Sequence, residues 1–166
     1  LEDAKNDWAE SVRTIKPHTY EVDPISFQEL IPDLSHFIDT FDLTTVYKKG
    51  KVYGCRIGKV TSDSLAHVLG FESYDIITTV GSISTTTADS RYDIYNKISN
   101  LSLGSSFTVE FERDGQTLTN SFTLVNLKLV HMLLTLLKTK KSALAVCFLC
   151  TQTTVKTSKK HSQVIS

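Results

Sequence analysis

Phe107-Thr108-Val109-Glu110-Phe111-Glu112-Arg113-Asp114-Gly115-Gln116-Thr117-Leu118-Thr119-Asn120-Ser121-Phe122-Thr123-Leu124 reads as two strands folded back on each other. Phe107, Val109 and Phe111 alternate with Thr108, Glu110 and Glu112, the two-residue period of a strand buried on one face. Leu118, Asn120, Phe122 and Leu124 alternate in the same way on the return. Between them Asp114-Gly115 supplies the two positive-φ positions of a tight hairpin turn.

Working back from the hairpin, 88–101 carries the clearest helical signal. Tyr92, Tyr95 and Ile98 share a face with Ile94 and Leu101 beside it, and Asp89, Asp93, Asn96 and Lys97 fall on the other side. Asp75–Val80 is a short apolar strand, followed by a polar, Thr-rich loop from Gly81-Ser82 through Thr87. Ser64–Leu69 reads as a short helix closed by Gly70. Leu43–Tyr47 and Val52–Val60 read as strands joined by the turn Lys48-Lys49-Gly50-Lys51. Upstream, Asp23-Pro24 offers an N-cap and a proline at the first helical position. Phe27, Leu30, Ile31, Leu34 and Ile38 then recur at helical intervals, with Pro32 splitting or kinking the helix. Residues 1–20 are expected to be a linker with at most a short helix, 21–124 a domain, and 125–166 a Leu-, Lys- and Ser/Thr-rich tail. Strands interleaved with a short and a long helix make an α+β domain.

Composition narrows the function. The 166 residues include 40% hydrophobic and 22% charged, enough apolar material for a compact core. Eighteen basic residues balance eighteen acidic ones, so the basic excess of a nucleic-acid-binding domain is missing. Lysines concentrate near the C-terminus. The apolar run Ala143–Cys150 falls short of the roughly 18–20 residues of a membrane span. The chain starts at Leu1 with no basic-then-apolar leader, and is expected to be a fragment or processed product.

The sequence offers no catalytic constellation. It has no G-x-S-x-G elbow, metal helix, P-loop or dinucleotide glycine pattern, and its five histidines are scattered. Cys147-Phe148-Leu149-Cys150 has the spacing of half a zinc site, without the other half. No enzyme activity, metal or cofactor is expected. A groove is expected instead. Val52-Tyr53-Gly54-Cys55 places a glycine between apolar residues at the mouth of a strand, where main-chain N–H groups converge on an acceptor. The strand that follows then takes up an extended peptide if its outer edge is free. Tyr53, Gly54, Cys55, Arg56 and Ile57 on the strand and Tyr92 and Tyr95 on the long helix are the candidate peptide-binding residues. The alternative at Gly54 is a bulge, and at the tyrosines ordinary core packing.

Val52-Tyr53-Gly54-Cys55-Arg56-Ile57, Ser64-Leu65 through Leu69-Gly70-Phe71, and Tyr74-Asp75-Ile76-Ile77-Thr78 together resemble a circularly permuted bacterial PDZ domain. Thr19-Tyr20-Glu21-Val22, Tyr47 to Lys51, Asp93 to Ile98 and Val109 to Gln116 are similar, more narrowly, to the type II secretion protein C family. The likeness spans 19–124. It implies a small, partly open β-barrel or sandwich of about five to six strands with two helices, preceded by a short helical pair. It also implies a periplasmic module of an inner-membrane tether that handles exported proteins or C-terminal or extended peptides, with other secretion components met through regions upstream. Two alternatives stand beside it: the regulatory PDZ module of a periplasmic serine protease, and a structural domain with a closed groove. The sequence departs from the family at Ser62-Asp63-Ser64, where Pro-Gly-Ser is usual, and at Gly81-Ser82, where Asn-Gly is usual. Tyr74 replaces a glycine, so that turn is expected to form without a residue that takes positive φ freely.

Overall fold

The computed structural model describes residues 8–140. After a single 3-10 turn at Trp8–Glu10 the elements run β1 (Val12–Lys16), β2 (Thr19–Val22), α1 (Pro24–Leu30), α2 (Leu34–Phe41), β3 (Thr44–Lys48) and β4 (Lys51–Arg56). Then come α3 (Leu65–Val68), β5 (Ile76–Val80), β6 (Ile83–Ser84), α4 (Ala88–Ser99), β7 (Ser106–Arg113) and β8 (Gln116–Leu124). A further helix occupies 127–140. The chain divides into two units after Leu127. In the second, the helix exposes Leu129, Met132, Leu133, Leu134, Leu136 and Leu137. Cys147 and Cys150 lie outside the described residues.

The first unit is an α+β domain on one mixed, open sheet. Its strand order is β1-β2-β8-β7-β5-β4-β3, with β6 paired to β5. Only β2 and β8 run parallel; the other pairs are antiparallel. The β7–β8 hairpin is as expected, with Asp114 at φ 49° and Gly115 at φ 78° in the turn. Its inward residues make the core: Phe111 is fully buried, Val109, Phe122 and Leu124 nearly so. Phe122 stacks on Phe107 and on Tyr20, each at 5.4 Å between ring centres, and Phe71 meets Phe111 edge-on at 5.2 Å. Asn120 shares this face, also fully buried. Its amide nitrogen donates to the Leu69 carbonyl at 3.1 Å, and its oxygen lies 2.7 Å from Nδ1 of His18. A buried amide is tolerated because both ends are satisfied.

Asp23 caps α1 as its sequence implies, accepting from the N–H groups of Ile25 and Ser26, while its second oxygen accepts from the N–H of Leu127 at 3.1 Å. Pro32 does split the helical stretch in two, and Asp33 caps the second half.

Two local expectations are corrected, and a third, a turn made without glycine, is met at the cost of strain. The segment taken as a linker is built into the sheet: Trp8 is buried and Val12–Lys16 pairs with β2. Lys16-Pro17 breaks a strand there, and the chain turns at His18 with φ 62°. The expected loop after Gly81 contains β6, because Gly81 and Ser82 both take positive φ and close a hairpin. The turn before Asp75 does use a positive-φ residue, Tyr74 at φ 72°, with its ring mostly exposed. That conformation costs a bulky residue about 1–2 kcal/mol. Glycine relieves it, less the roughly 0.4–1 kcal/mol of extra freedom that glycine gives the unfolded chain. Tyr74→Gly is therefore expected to stabilise the domain by about 0.5–1 kcal/mol in urea titration. Tyr74→Ala, which keeps the strained backbone, is expected to show no such gain.

Candidate functional site

β3 ends the sheet. Its inner flank pairs with β4, and its outer flank has no partner strand among the described residues. The strand is short, carries Thr44, Thr45 and Lys48, and exposes Tyr47, features by which an edge resists indiscriminate pairing. Beside it opens a groove of about 480 Å³. Thr44 and Thr45 of β3 and Cys55 of β4 form one wall, and Arg91, Tyr92 and Tyr95 of α4 face them. Phe27, Ile31, Phe37 and Phe41 of the α1–α2 region line it too, as do Phe71, Phe107 and Phe122 of the aromatic core. α4 is held by a capping box between Thr87 and Ser90, yet none of its residues is fully buried. A helix set over space in this way serves as a groove wall.

The structure gathers some of the expected residues here and separates the rest. Cys55, Tyr92 and Tyr95 line the groove. Tyr53, Gly54, Arg56 and Ile57 do not. Their strand is not an edge: β4 pairs with β3 on one side and β5 on the other, so the expected free flank is already taken by the chain's own backbone. Gly54 sits where β4 and β5 come close. A Cβ built on it lies 2.5 Å from the carbonyl oxygen of Ile77. The pairing with β3 also slips there, Val46 opposite Gly54 but Tyr47 opposite Val52, so Tyr53 is a bulged residue. The main-chain nest is thus replaced by a bulge and a close strand contact. Ile57 is core, 1% exposed, and Arg56 is exposed at the strand end.

The bulge turns Tyr53 toward a polar cluster outside the groove. Its hydroxyl donates to Glu112 at 2.6 Å, Lys48 donates to the same carboxylate at 2.9 Å, and the Lys48 ammonium lies 3.6 Å from the Tyr53 ring centre. The Tyr53 hydroxyl, then Lys48, hold the Glu112 carboxyl below its ordinary range. Inside the groove, burial pushes the Cys55 thiol up, and the nearby Arg91 guanidinium opposes that in part.

Two groove residues escape a reading of the sequence alone. Thr45 is a polar residue in a β-rich run, with nothing to mark it as lying on an edge. Arg91 was legible in principle, since it precedes Tyr95 by one helical turn and shares its face. Its Nε donates to the Thr85 carbonyl at 2.8 Å, and Nη1 donates to Oγ1 of Thr45 at 3.0 Å. Among the described residues no group of three or more His, Cys, Asp or Glu is placed to hold a metal, and no helix is long and apolar enough to cross a membrane.

No protein-family model matches this chain, and no curated protein matches it. Among solved structures the chain is similar to the PDZ domain of EpsC from Vibrio cholerae, at 18% identity and TM-score 0.45, over 60% of this chain and 92% of that one. The PDZ domain of the pullulanase C protein of the type II secretion system from Klebsiella pneumoniae, in complex with fatty acid, is similar at 18% identity and TM-score 0.41, over 59% and 98%. The HtrA-type protease AlgW with a decapeptide is similar at 17% identity and TM-score 0.36, over 48% of this chain and 26% of the protease.

Proposed function

We propose that this domain is a PDZ-like binding module that takes an extended peptide or protein segment as an added strand on β3. One observation carries the reading: the outer edge of β3, without a partner strand among the described residues, forms a wall of an apolar groove facing α4. Edge N–H and C=O groups hydrogen-bond any extended chain, and the groove selects among side chains. Tyr92, Tyr95 and Cys55 are then contact residues. Tyr53, Gly54, Arg56 and Ile57 support the strand that carries the edge. The finer reading is a periplasmic module of a type II secretion tether anchored in the inner membrane, engaged in recruiting or handling exported proteins. It rests on the sequence likeness over 19–124. The helical pair α1–α2 stands directly before β3 and lines the groove, which favours this over a protease-borne module.

Backbone amide shifts of the ¹⁵N-labelled chain, followed as exported proteins or extended apolar peptides are added, test the site. Saturable changes concentrated at Thr44–Lys48 and along Ala88–Ser99 are expected. Changes confined to other surfaces, or none at millimolar peptide, would overturn the reading in favour of a structural domain.

A further inference from the structure

Among the described residues the groove is lined by one charged side chain, Arg91, and by no carboxylate. That guanidinium donates to two neutral oxygens, the Thr85 carbonyl and the Thr45 hydroxyl on the opposite wall, lies beside the neutral Cys55 thiol, and meets no carboxylate among the described residues. It therefore joins α4 to the β3 edge where an added strand has to lie. A cation in an apolar groove without a counter-charge gains most from a ligand that brings one, because low local dielectric strengthens the pair and the planar fork matches a carboxylate.

We propose that Arg91 is a latch and a selector: it ties the two walls together when the groove is empty, and releases Thr45 to grip an acidic side chain of the incoming segment. The inference rests on the strand-addition reading and names its ligand class, an apolar extended segment of a partner protein with an Asp or Glu facing α4. A side-chain carboxylate is favoured over a terminal one. Thr45 lies within β3, with Thr44 before it and Val46 to Lys48 after, so the pairing edge continues past the guanidinium on both sides. Gly54, where the sequence has the form of a main-chain nest for a terminus, is packed against Ile77. The chain's own tail is a poor occupant, since 125–166 contains no Asp or Glu.

The test uses the full chain and four apolar decapeptides read by fluorescence anisotropy. Three carry Glu, Gln or Lys at a central position and an amidated end, and the fourth carries Gln with a free carboxylate end. The Glu peptide is expected to bind about tenfold or more tightly than the amidated Gln and Lys peptides. Arg91→Met is expected to abolish that preference, Arg91→Lys to keep part of it, and Arg91→Glu to transfer it to the Lys peptide. Equal affinity for the amidated Glu and Gln peptides on the unmodified chain overturns the selector while leaving strand addition intact. So does a preference for the free-ended Gln peptide over the Glu peptide. If no peptide binds, strand addition itself fails, and this inference with it.

Discussion

Replacing Arg113 by alanine is expected to destabilise the domain by about 3–5 kcal/mol. The guanidinium leaves the tip of β7 and forks onto Asp75, Nε to Oδ1 at 2.9 Å and Nη2 to Oδ2 at 2.7 Å. It also pairs with Glu72 at 2.7 Å and donates to the Gly70 carbonyl at 3.1 Å. Asp75 is 1% exposed, so the substitution strands a buried carboxylate with the Glu72 N–H as its remaining hydrogen bond in the loop. The cost arises mainly from that stranded charge and less from the attraction lost, because both ions were desolvated to form the pair. The bonds to Asp75 raise the Arg113 pKa further above its already high ordinary value, so the pair does not dissolve by arginine deprotonation under ordinary conditions. A control separates the two contributions. Arg113→Met combined with Asp75→Asn removes both charges and is expected to recover much of the loss in urea titrations. A deficit under 1 kcal/mol for Arg113→Ala would mean that water reaches Asp75 and takes over the pairing. The site depends on this clamp, since Asp75 leads into β5, β5 carries β4, and β4 carries the edge strand.

Local chemistry made much of this fold legible, and long-range pairing hid the rest. The β7–β8 hairpin combines strict alternation with Asp114-Gly115, and α1 announces itself by Asp23-Pro24; both signals act within a few residues. β1 sends no comparable signal. Val12-Arg13-Thr14-Ile15-Lys16 sets its two apolar residues three apart, on opposite faces of a strand, and its place depends on β2 lying parallel to β8, a partner about a hundred residues away. β6 is two residues long, and its turn sets Ser82 at a positive φ that its side chain does not advertise. The same holds for Tyr74, where the fold keeps the turn and accepts a strained residue in it.

The candidate site was half visible for a related reason. Tyr92 and Tyr95 reach the groove because a helix face can be drawn from spacing alone. Which strand forms the opposite wall depends on the order of strands in the sheet, and spacing does not carry that order. Val52-Tyr53-Gly54-Cys55 has the form of a groove strand, yet it is the second strand in, and the plainer Thr44-Thr45-Val46-Tyr47-Lys48 covers it. A charged residue on an exposed helix, such as Arg91, is ordinarily a solvated one, and only the approach of Thr45 gives it a role.

Gly54→Val is expected to cost about 2–3 kcal/mol, the range of overpacking in a filled interior. The cost is steric. Even the first added carbon falls 2.5 Å from the Ile77 carbonyl oxygen and 3.0 Å from Cγ2 of Ile76, and the first of these is backbone that cannot rotate aside. Relief requires β4 and β5 to part, at the junction where Cys55 opposes Ile77 and Arg56 opposes Ile76. A branched side chain in a strand ordinarily gains from its preference for extended backbone, by up to about 1 kcal/mol. The collision outweighs that gain. The consequence for function is specific: weakened peptide binding in Gly54→Val reports a displaced β3–β4 wall and not a lost ligand contact. Tyr95→Ala supplies the contrast, because Tyr95 is only half-buried and lines the groove. It is expected to leave the unfolding free energy within about 1 kcal/mol of the parent while lowering peptide affinity several-fold. If Gly54→Val unfolds at the parental urea concentration, β4 and β5 are not packed as closely as these distances require, and the main-chain nest at Gly54 becomes tenable again.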